Sequence, residues 1–459
     1  DFDALPSAEL KETVQLRLAA KQDIPDLITI PGGQDGSYLP KYLNDGVVID
    51  LKDYLDKYGV NFQNVSEEYP LYKETIELPD GSIVGLGNLR SSLYQFRAQV
   101  IRKDWLDALN LEMPTTPEEL LDAAKAFVQN DMNGNGEADE IGMSGYQDQY
   151  MELGHAWGLH FVTGDGWHME DGKMIYEPIT EPYREFLKYI RSCVEAGVFP
   201  ADWSSVDKAT HLARAANNQI GILMREPALS TIYYQDPADS MKQAIPDANW
   251  QIIPALDGPN GKGIFVKERL ADLSRTIVVT SANKYPIETV KWLDYVLFSD
   301  EANLLKLYGI EGETYKVENG NIIPIDSPLR DNNPLSDGTW LGNGDYLPAV
   351  YTNQSDEVGF SHLNLDDNNE ALAALKDCFP FVEEPLAMPI PSGADGSRIA
   401  SLMPDIDTYV KEMRLKFVKG EANLDTDFDK YVQNLKSIGL EEVINLYQSQ
   451  YDAKKVNKE

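Results

Sequence analysis

The stretch that decides how this chain is read opens as a helix, Thr116-Pro117-Glu118-Glu119-Leu120, and closes as a loop, Asp131-Met132-Asn133-Gly134-Asn135-Gly136-Glu137-Ala138-Asp139-Glu140. Thr116 stands as N-cap, Pro117 at the first helical position and Glu119 three residues after the cap, a capping box. Leu120, Leu121, Ala124, Phe127 and Val128 then give the helix one apolar face. The loop sets oxygen-bearing side chains at alternate positions around a tight Gly turn. Hard Ca²⁺ takes about six to eight oxygens, and an EF-hand loop supplies them from positions 1, 3, 5, 7 and beyond, with Gly at position 6. Asp131, Asn133 and Asn135 fill positions 1, 3 and 5, Gly136 makes the turn, and Glu137 offers its carbonyl. Asp139 and Glu140 replace the bidentate Glu of position 12, which is Gly142 here. A plain solvated Asn/Gly turn would not need ligand-grade residues in register at every one of these positions. Ile141-Gly142-Met143-Ser144-Gly145 cannot supply an exit helix, so the loop has a helix on one side only. Such a site is a structural Ca²⁺ clamp rather than a sensor that swings two helices apart.

Working outward, 75 Asp plus Glu against 40 Lys plus Arg leave a net charge of −35. That balance argues against nucleic acid, and against an anionic membrane face, as partners of the protein surface. A chain of 459 residues, 42% hydrophobic, exceeds what one core usually serves, so two domains are expected. Cys193 and Cys378 lie far apart without metal or redox spacing and read as buried thiols, with a disulfide left open. No apolar run of about 18 residues or more is present.

Helices and short strands alternate without internal repeats, an α/β signature. A helix is expected from Ser7 to about Lys21, and strands at Leu27–Ile30, Ser82–Leu86, Gly221–Met224 and Arg275–Thr280. Ser92–Arg102 is extended and leads into a helix at Asp104, while Trp167–Tyr176 is a hairpin across Asp171-Gly172. Further helices run from Glu181 to Ala196, capped by Thr180 and stopped by Gly197, and from Ile287 to Phe298.

The blocks Ile101-Arg102-Lys103-Asp104-Trp105-Leu106-Asp107 and Leu111-Glu112-Met113-Pro114-Thr115-Thr116-Pro117-Glu118-Glu119-Leu120, followed by the calcium-type loop, resemble the family 1 extracellular solute-binding proteins of bacterial ABC importers. The likeness is nearest to the large lipoprotein subgroup serving oligosaccharide uptake in Firmicutes, and further blocks such as Trp250 with Pro254 and Gly309-Ile310-Glu311-Gly312 extend it along the whole chain. The resemblance implies an α/β fold with a two-lobed, periplasmic-binding-protein-like clamp (type II), each lobe a sheet flanked by helices. Crossings near Arg97 and Arg275 would place residues 1–96 and 275–335 in lobe one, and 97–274 and 336–459 in lobe two with the calcium loop. It implies Asp131, Asn133, Asn135, Glu137, Asp139 and Glu140 as ligands of a structural Ca²⁺. It also implies ABC permease subunits as partners, a monomer, and a cell-surface lipoprotein of a Gram-positive bacterium. Relatives begin with a strand, a helix and a second strand ahead of the helix at Ser7, and carry a secretion signal and a lipid-modified Cys. The resemblance therefore implies that these elements precede Asp1.

Sugar recognition needs aromatic platforms for ring faces and paired polar groups for hydroxyls. The residues singled out on strand ends and crossings are Asp35, Asn88, Ser91, Tyr94, Arg225 and Glu226, with Trp340 as the exposed indole of a Gly-rich stretch. Trp105 and Trp250 read as structural. Catalysis is not expected: no nucleophile elbow, Walker loop, HExxH or Cys/His constellation occurs, and Glu383-Glu384 before Pro385 reads as a solvated loop. The alternatives are a binding protein for another solute such as a peptide, a membrane-tethered sensor or adhesin, or a carbohydrate-active enzyme with a carboxylate pair.

Overall fold

The computed structural model of the protein describes residues 5, 7–32, 36–161, 166–235, 239–267, 270–318, 321–325, 350–352, 357 and 369–456. Within them the chain builds two mixed sheets, each with its own core. It lays down β1 (Leu27–Pro31) and β2 (Leu86–Arg90), then passes to β3 (Arg97–Arg102), β4 (Ile141–Ser144) and the hairpin of β5 (Trp167–Glu170) and β6 (Lys173–Tyr176). Next come β7 (Ile220–Pro227), β8 (Trp250–Ile252), the short pair β9 (Asp257–Gly258) and β10 (Gly261–Lys262), and β11 (Phe265–Val266). The chain then returns through β12 (Ala271–Val279), a hairpin of β13 (Tyr315–Glu318) and β14 (Asn321–Pro324), β15 (Val350–Tyr351), and finally β16 (Val382–Glu383).

The first sheet has the order β1-β12-β2-β15 and the second β4-β7-β3-β8. β3 is central in its sheet, and all of Arg97–Arg102 except Arg97 is buried, as expected of a strand covered on both faces. β1 alternates half-buried and buried residues in the same way a strand with one core face does. The core of the first sheet gathers Ile30, Phe62, Tyr72 and Val278, and Phe298 meets Phe62 and Tyr72 edge to face at centroid distances of 5.5 and 5.9 Å. The core of the second contains Trp105, Phe127, Phe186 and Phe417.

The Pro117–Val128 helix forms as its sequence predicts, with Leu120, Ala123, Ala124 and Phe127 buried. Thr116 Oγ1 accepts the Glu119 N–H at 3.2 Å, but the Glu119 carboxylate reaches one residue further back, to Thr115 N and Oγ1, both at 2.8 Å. Glycines let this helix sit directly on the sheet. A Cβ at Gly221 would lie 2.3 Å from the Phe127 ring, and one at Gly142 would lie 2.7 Å from the Ala124 carbonyl. The residue at EF-hand position 12 is thus a packing glycine, which is why the loop must find its last carboxylates earlier.

Several expectations shift. The second strand is Leu86–Arg90 rather than Ser82–Leu86, where Ile83 makes only an isolated bridge to Glu77. Gly87 is the reason, since a Cβ there would meet the Asp272 carbonyl at 2.3 Å, so only a glycine lets β2 close on β12. β12 starts four residues before Arg275, carrying a bulge between Asp272 and Ile277. β7 continues to Pro227, so Arg225 and Glu226 lie inside the strand instead of after it. Val350–Tyr351, in the stretch 336–459 expected in lobe two, pairs parallel with β2 at the edge of the first sheet. Ile390 likewise packs in the first core.

Trp105 and Trp250 are structural, as read: both are buried, and the Arg102 guanidinium lies over their rings at 4.6 and 5.4 Å. Cys193 and Cys378 are buried and free, and burial pushes both thiols up to about 12.

Candidate functional site: the crossing segments and the oxygen-rich loop

Three segments pass between the sheets side by side. The first joins β2 to β3, the second joins β11 to β12, and the third continues from β16. Phe96 bridges Lys267, while β11 runs parallel to β16 with Phe265 opposite Val382 and Val266 opposite Glu383. Lys267 ties all three together. Its N–H donates to the Glu383 carbonyl at 2.9 Å, and its ammonium, only 2% exposed, donates to the Ser91 carbonyl at 2.9 Å and to Glu384 Oε1 at 2.6 Å. A buried ammonium survives only when paired and hydrogen-bonded in this way. Glu383-Glu384 is solvated, with side chains 51% and 41% exposed, but it is more than a loop: Glu383 ends a strand, and both carboxylates are engaged, Glu384 with Lys267 and Glu383 with His160 Nε2 at 3.2 Å.

The Asp131–Glu140 loop curls around its own carboxylates. Asp131 Oδ1 accepts from Asn135 N at 3.1 Å and Oδ2 from Gly136 N at 2.9 Å, while Glu140 Oε1 accepts from Met132 N at 2.7 Å and Asn133 N at 3.1 Å. Gly134 and Gly136 hold φ of +73° and +80°, the left-handed region that favours glycine. Asp139 accepts from Asn133, Asn135 and Gln219 side chains at 2.8 to 3.2 Å, and those bonds, led by Asn133, hold its carboxyl below the usual range. Gln219 also accepts from Ile141 N through its carbonyl at 2.7 Å, so the loop exit is pinned to β7. Three carboxylates and two amide oxygens are gathered in one turn, with no basic side chain among their partners described here. That all-oxygen donor set fits a hard dication.

The residues singled out for a sugar divide. Asn88 lies on β2 opposite Asp272, and Ser91 lies at the first crossing with its carbonyl on Lys267. Tyr94 is 1% exposed, its ring edge-on to Phe379 at 4.9 Å, and its hydroxyl donates to Glu357 at 3.0 Å. That is a core ring, offering no face for stacking. Arg225 and Glu226 share β7, with Glu226 opposite Ala98. Asp35 and Trp340 lie outside the described residues. Lys267 escaped sequence reasoning because its partners are 117 and 176 residues away.

Two mixed α/β sheets with separate cores, joined by adjacent crossing segments, define the class of two-domain, periplasmic-binding-protein-like proteins. Residues 1–303 match the bacterial extracellular solute-binding protein family, and the chain belongs to that family. It is 27% identical over 469 residues to FusA of Streptococcus pneumoniae serotype 4, a fructooligosaccharide ABC transporter substrate-binding protein, covering 95% of this chain and 81% of that one. Among solved structures, the alginate-binding protein AlgQ2 without calcium ion superposes with a TM-score of 0.74 at 20% identity, over 96% of this chain and 88% of that one. An EF-hand mutant of FusA in complex with fructo-nystose superposes with a TM-score of 0.69 at 23% identity, over 97% and 91%. At such identities these structural likenesses establish the fold.

Proposed function

We propose that this protein is the extracellular substrate-binding component of an ABC importer and captures an oligosaccharide between two lobes that close about a hinge. The observation that carries the reading is the 27% identity, along 95% of the chain, to a fructooligosaccharide ABC transporter substrate-binding protein. In this reading lobe one is built around β1, β2, β12 and β15, and lobe two around β3, β4, β7 and β8. The crossing segments tied by Lys267 form the hinge, and a ligand that touches both lobes favours closure by its differential contacts. Asn88, Ser91, Arg225 and Glu226, with Asp35, Trp340 and the Tyr94 hydroxyl, are the proposed ligand-binding residues. A net charge of −35 disfavours acidic sugars at long range, so neutral oligosaccharides are the expected ligands. The protein acts as a monomer, tethered to the cell surface by a lipid, and hands its cargo to permease subunits without chemistry. Among the described residues no helix is long and apolar enough to cross a membrane.

We further propose that Asp131, Asn133, Asn135, Asp139 and Glu140, with the Glu137 carbonyl, hold a structural Ca²⁺. The gathered carboxylates support this, and the structural neighbours include an alginate-binding protein solved without calcium ion and an EF-hand mutant of FusA. When bound, the ion would offset two of the three carboxylate charges gathered there and fix the loop's exit into β4.

Calorimetric titration with neutral and acidic oligosaccharides tests the reading. Binding of one neutral class, with a smaller radius of gyration by X-ray scattering, is expected. Trp340→Ala should weaken binding by about 1 to 3 kcal/mol if its ring stacks on sugar. Silence across the whole panel, or release of shorter products from any sugar, would overturn it.

A further inference from the structure

Beside the β5–β6 hairpin lies a second group of ligand-type side chains, separate from the oxygen-rich loop. Glu177 follows β6 and is 0% exposed. Its Oε1 accepts from His160 N at 2.7 Å and stands 3.0 Å from His160 Nδ1 and 2.9 Å from His168 Nδ1. The two imidazoles stack with centroids 4.6 Å apart and planes 23° from parallel, so both present Nδ1 to the same carboxylate. One potential donor atom from each of the three residues falls within 4.8 Å of the others.

Two details are poorly explained by packing alone. Among the described residues Glu177 Oε2 is buried and has no hydrogen-bond partner, and His168 Nδ1, though near Oε1, lacks hydrogen-bond geometry to it. An unmet carboxylate oxygen in the interior is costly, so such a group calls for an explanation. We propose that His160, His168 and Glu177 form a site for one divalent transition-metal ion of the zinc class. Imidazole nitrogen with a single carboxylate suits such an ion and not Ca²⁺. The present separations of 2.9 and 3.0 Å lie close to the ligand–ligand edge of about 3.3 Å that tetrahedral zinc needs at bond lengths of about 2.0 Å.

The surroundings complete the arrangement. With His160 Nδ1 turned to the ion, its Nε2 stays with Glu383 Oε2 at 3.2 Å. That is the carboxylate–histidine–metal relay which orients a ligating imidazole and raises its basicity. Two carboxylates, two neutral imidazoles and one dication sum to zero charge, which a half-buried site favours. Glu383 belongs to β16, so the ion would couple the hairpin to a crossing segment.

The experiment titrates tag-free, chelator-stripped protein with Zn²⁺ alone in saturating Ca²⁺, so that the oxygen-rich loop is filled by its own cation. One equivalent of tightly bound Zn²⁺ and a rise in Tm are expected. Co²⁺ in its place should give visible absorption bands of imidazole coordination, read on the wild-type chain and therefore independent of any variant's folding. His160→Gln and His168→Gln should abolish the bands, Glu383→Gln should weaken Zn²⁺ by about 10- to 100-fold, and Asp131→Asn should leave Zn²⁺ binding unchanged. Absence of the Co²⁺ bands in wild type, or Zn²⁺ binding that survives His168→Gln undiminished, would overturn the proposal.

Discussion

Asp131 and Lys267 each hold chain segments together with a single charge, and they do so under opposite conditions. Asp131 is exposed and takes its hydrogen bonds from Asn135 and Gly136, four and five residues on. Lys267 is 2% exposed and reaches partners 117 and 176 residues away. The exposed loop is a local device: its acceptors crowd together, repel one another, and are compensated only by backbone N–H groups and amides unless a cation joins them. The buried tie must be complete in the folded chain at all times, because an unpaired ammonium there is costly. One region is therefore expected to respond to solution conditions and the other to respond only to mutation.

The sharpest way to break this contrast is at Glu384. Glu384→Ala strands the Lys267 ammonium with the Ser91 backbone carbonyl as its remaining described partner. The expected loss is about 3 kcal/mol, the low end for removing one partner of a buried pair, because Glu384 itself is 41% exposed and water can enter. Lys267→Met removes the buried charge instead and should cost less, since Glu384 can rehydrate. Urea denaturation of the two variants measures the order. Equal losses, or a milder Glu384 variant, would mean that the ammonium finds water and that the crossing is not a dry tie.

Chelation probes the exposed partner of the comparison. A ligand that binds only the folded state stabilises it by about 2.7 kcal/mol when its free concentration is about 100 times Kd. EDTA should lower both Tm and the unfolding free energy in calcium-containing buffer, the latter by about 2.7 kcal/mol at that saturation, and Asp131→Ala should make the protein indifferent to EDTA. Oligosaccharide affinity should stay within about twofold in both cases, because every loop contact described above belongs to one sheet's neighbourhood. A calcium-independent melt would reduce the loop to a hydrogen-bonded turn.

How much of this was legible beforehand follows the same divide. The capped helix, the loop register, the Asp171-Gly172 hairpin turn and the absence of an exit helix are encoded within a few residues, so spacing and turn chemistry reveal them. Strand limits were less legible: Ser82–Leu86 has strand-like residues, but Gly85 and Gly87 shift pairing to Leu86–Arg90 through close approach to β12. Tyr94 sits at a crossing, as a ligand residue would, yet Phe379 claims its ring. Glu383-Glu384 looked like no more than a loop because neither His160 nor Lys267 is near it in sequence. His160, His168 and Glu177 are spaced by eight and nine residues, which matches no helical or loop ligand pattern, and only the hairpin brings them together.

His211 extends the comparison to a buried group that avoids charge altogether. It is 0% exposed, its Nδ1 lies 3.0 Å from Ser144 Oγ, and burial, reinforced by Arg214, lowers its pKa from 6.5 to about 4. A histidine whose folded value is depressed contributes stability that is fully present above pH 6.5 and is lost as pH falls toward about 4, since only the unfolded chain takes the proton in that window. The expected slope is about 1.4 kcal/mol per pH unit. Subtracting the pH profile of His211→Gln from that of wild type isolates it from the carboxylates. A difference profile that is flat between pH 4 and 6.5 would show that water reaches the ring.

The smallest expected effect asks whether the exposed loop is an independent unit or an extension of its entering helix. Thr116→Ala deletes the cap oxygen that accepts the Glu119 N–H, at an expected cost of about 1 kcal/mol. The helix end nearest the loop is held differently, by Ala124 and Phe127 seated on Gly142 and Gly221. Fraying at Thr116 should therefore stop before the last turns, and calcium affinity should change by less than about twofold while the urea midpoint falls. If calcium affinity falls along with stability, helix and loop behave as one cooperative piece, and the loop's local hydrogen bonds are then not what sets its shape.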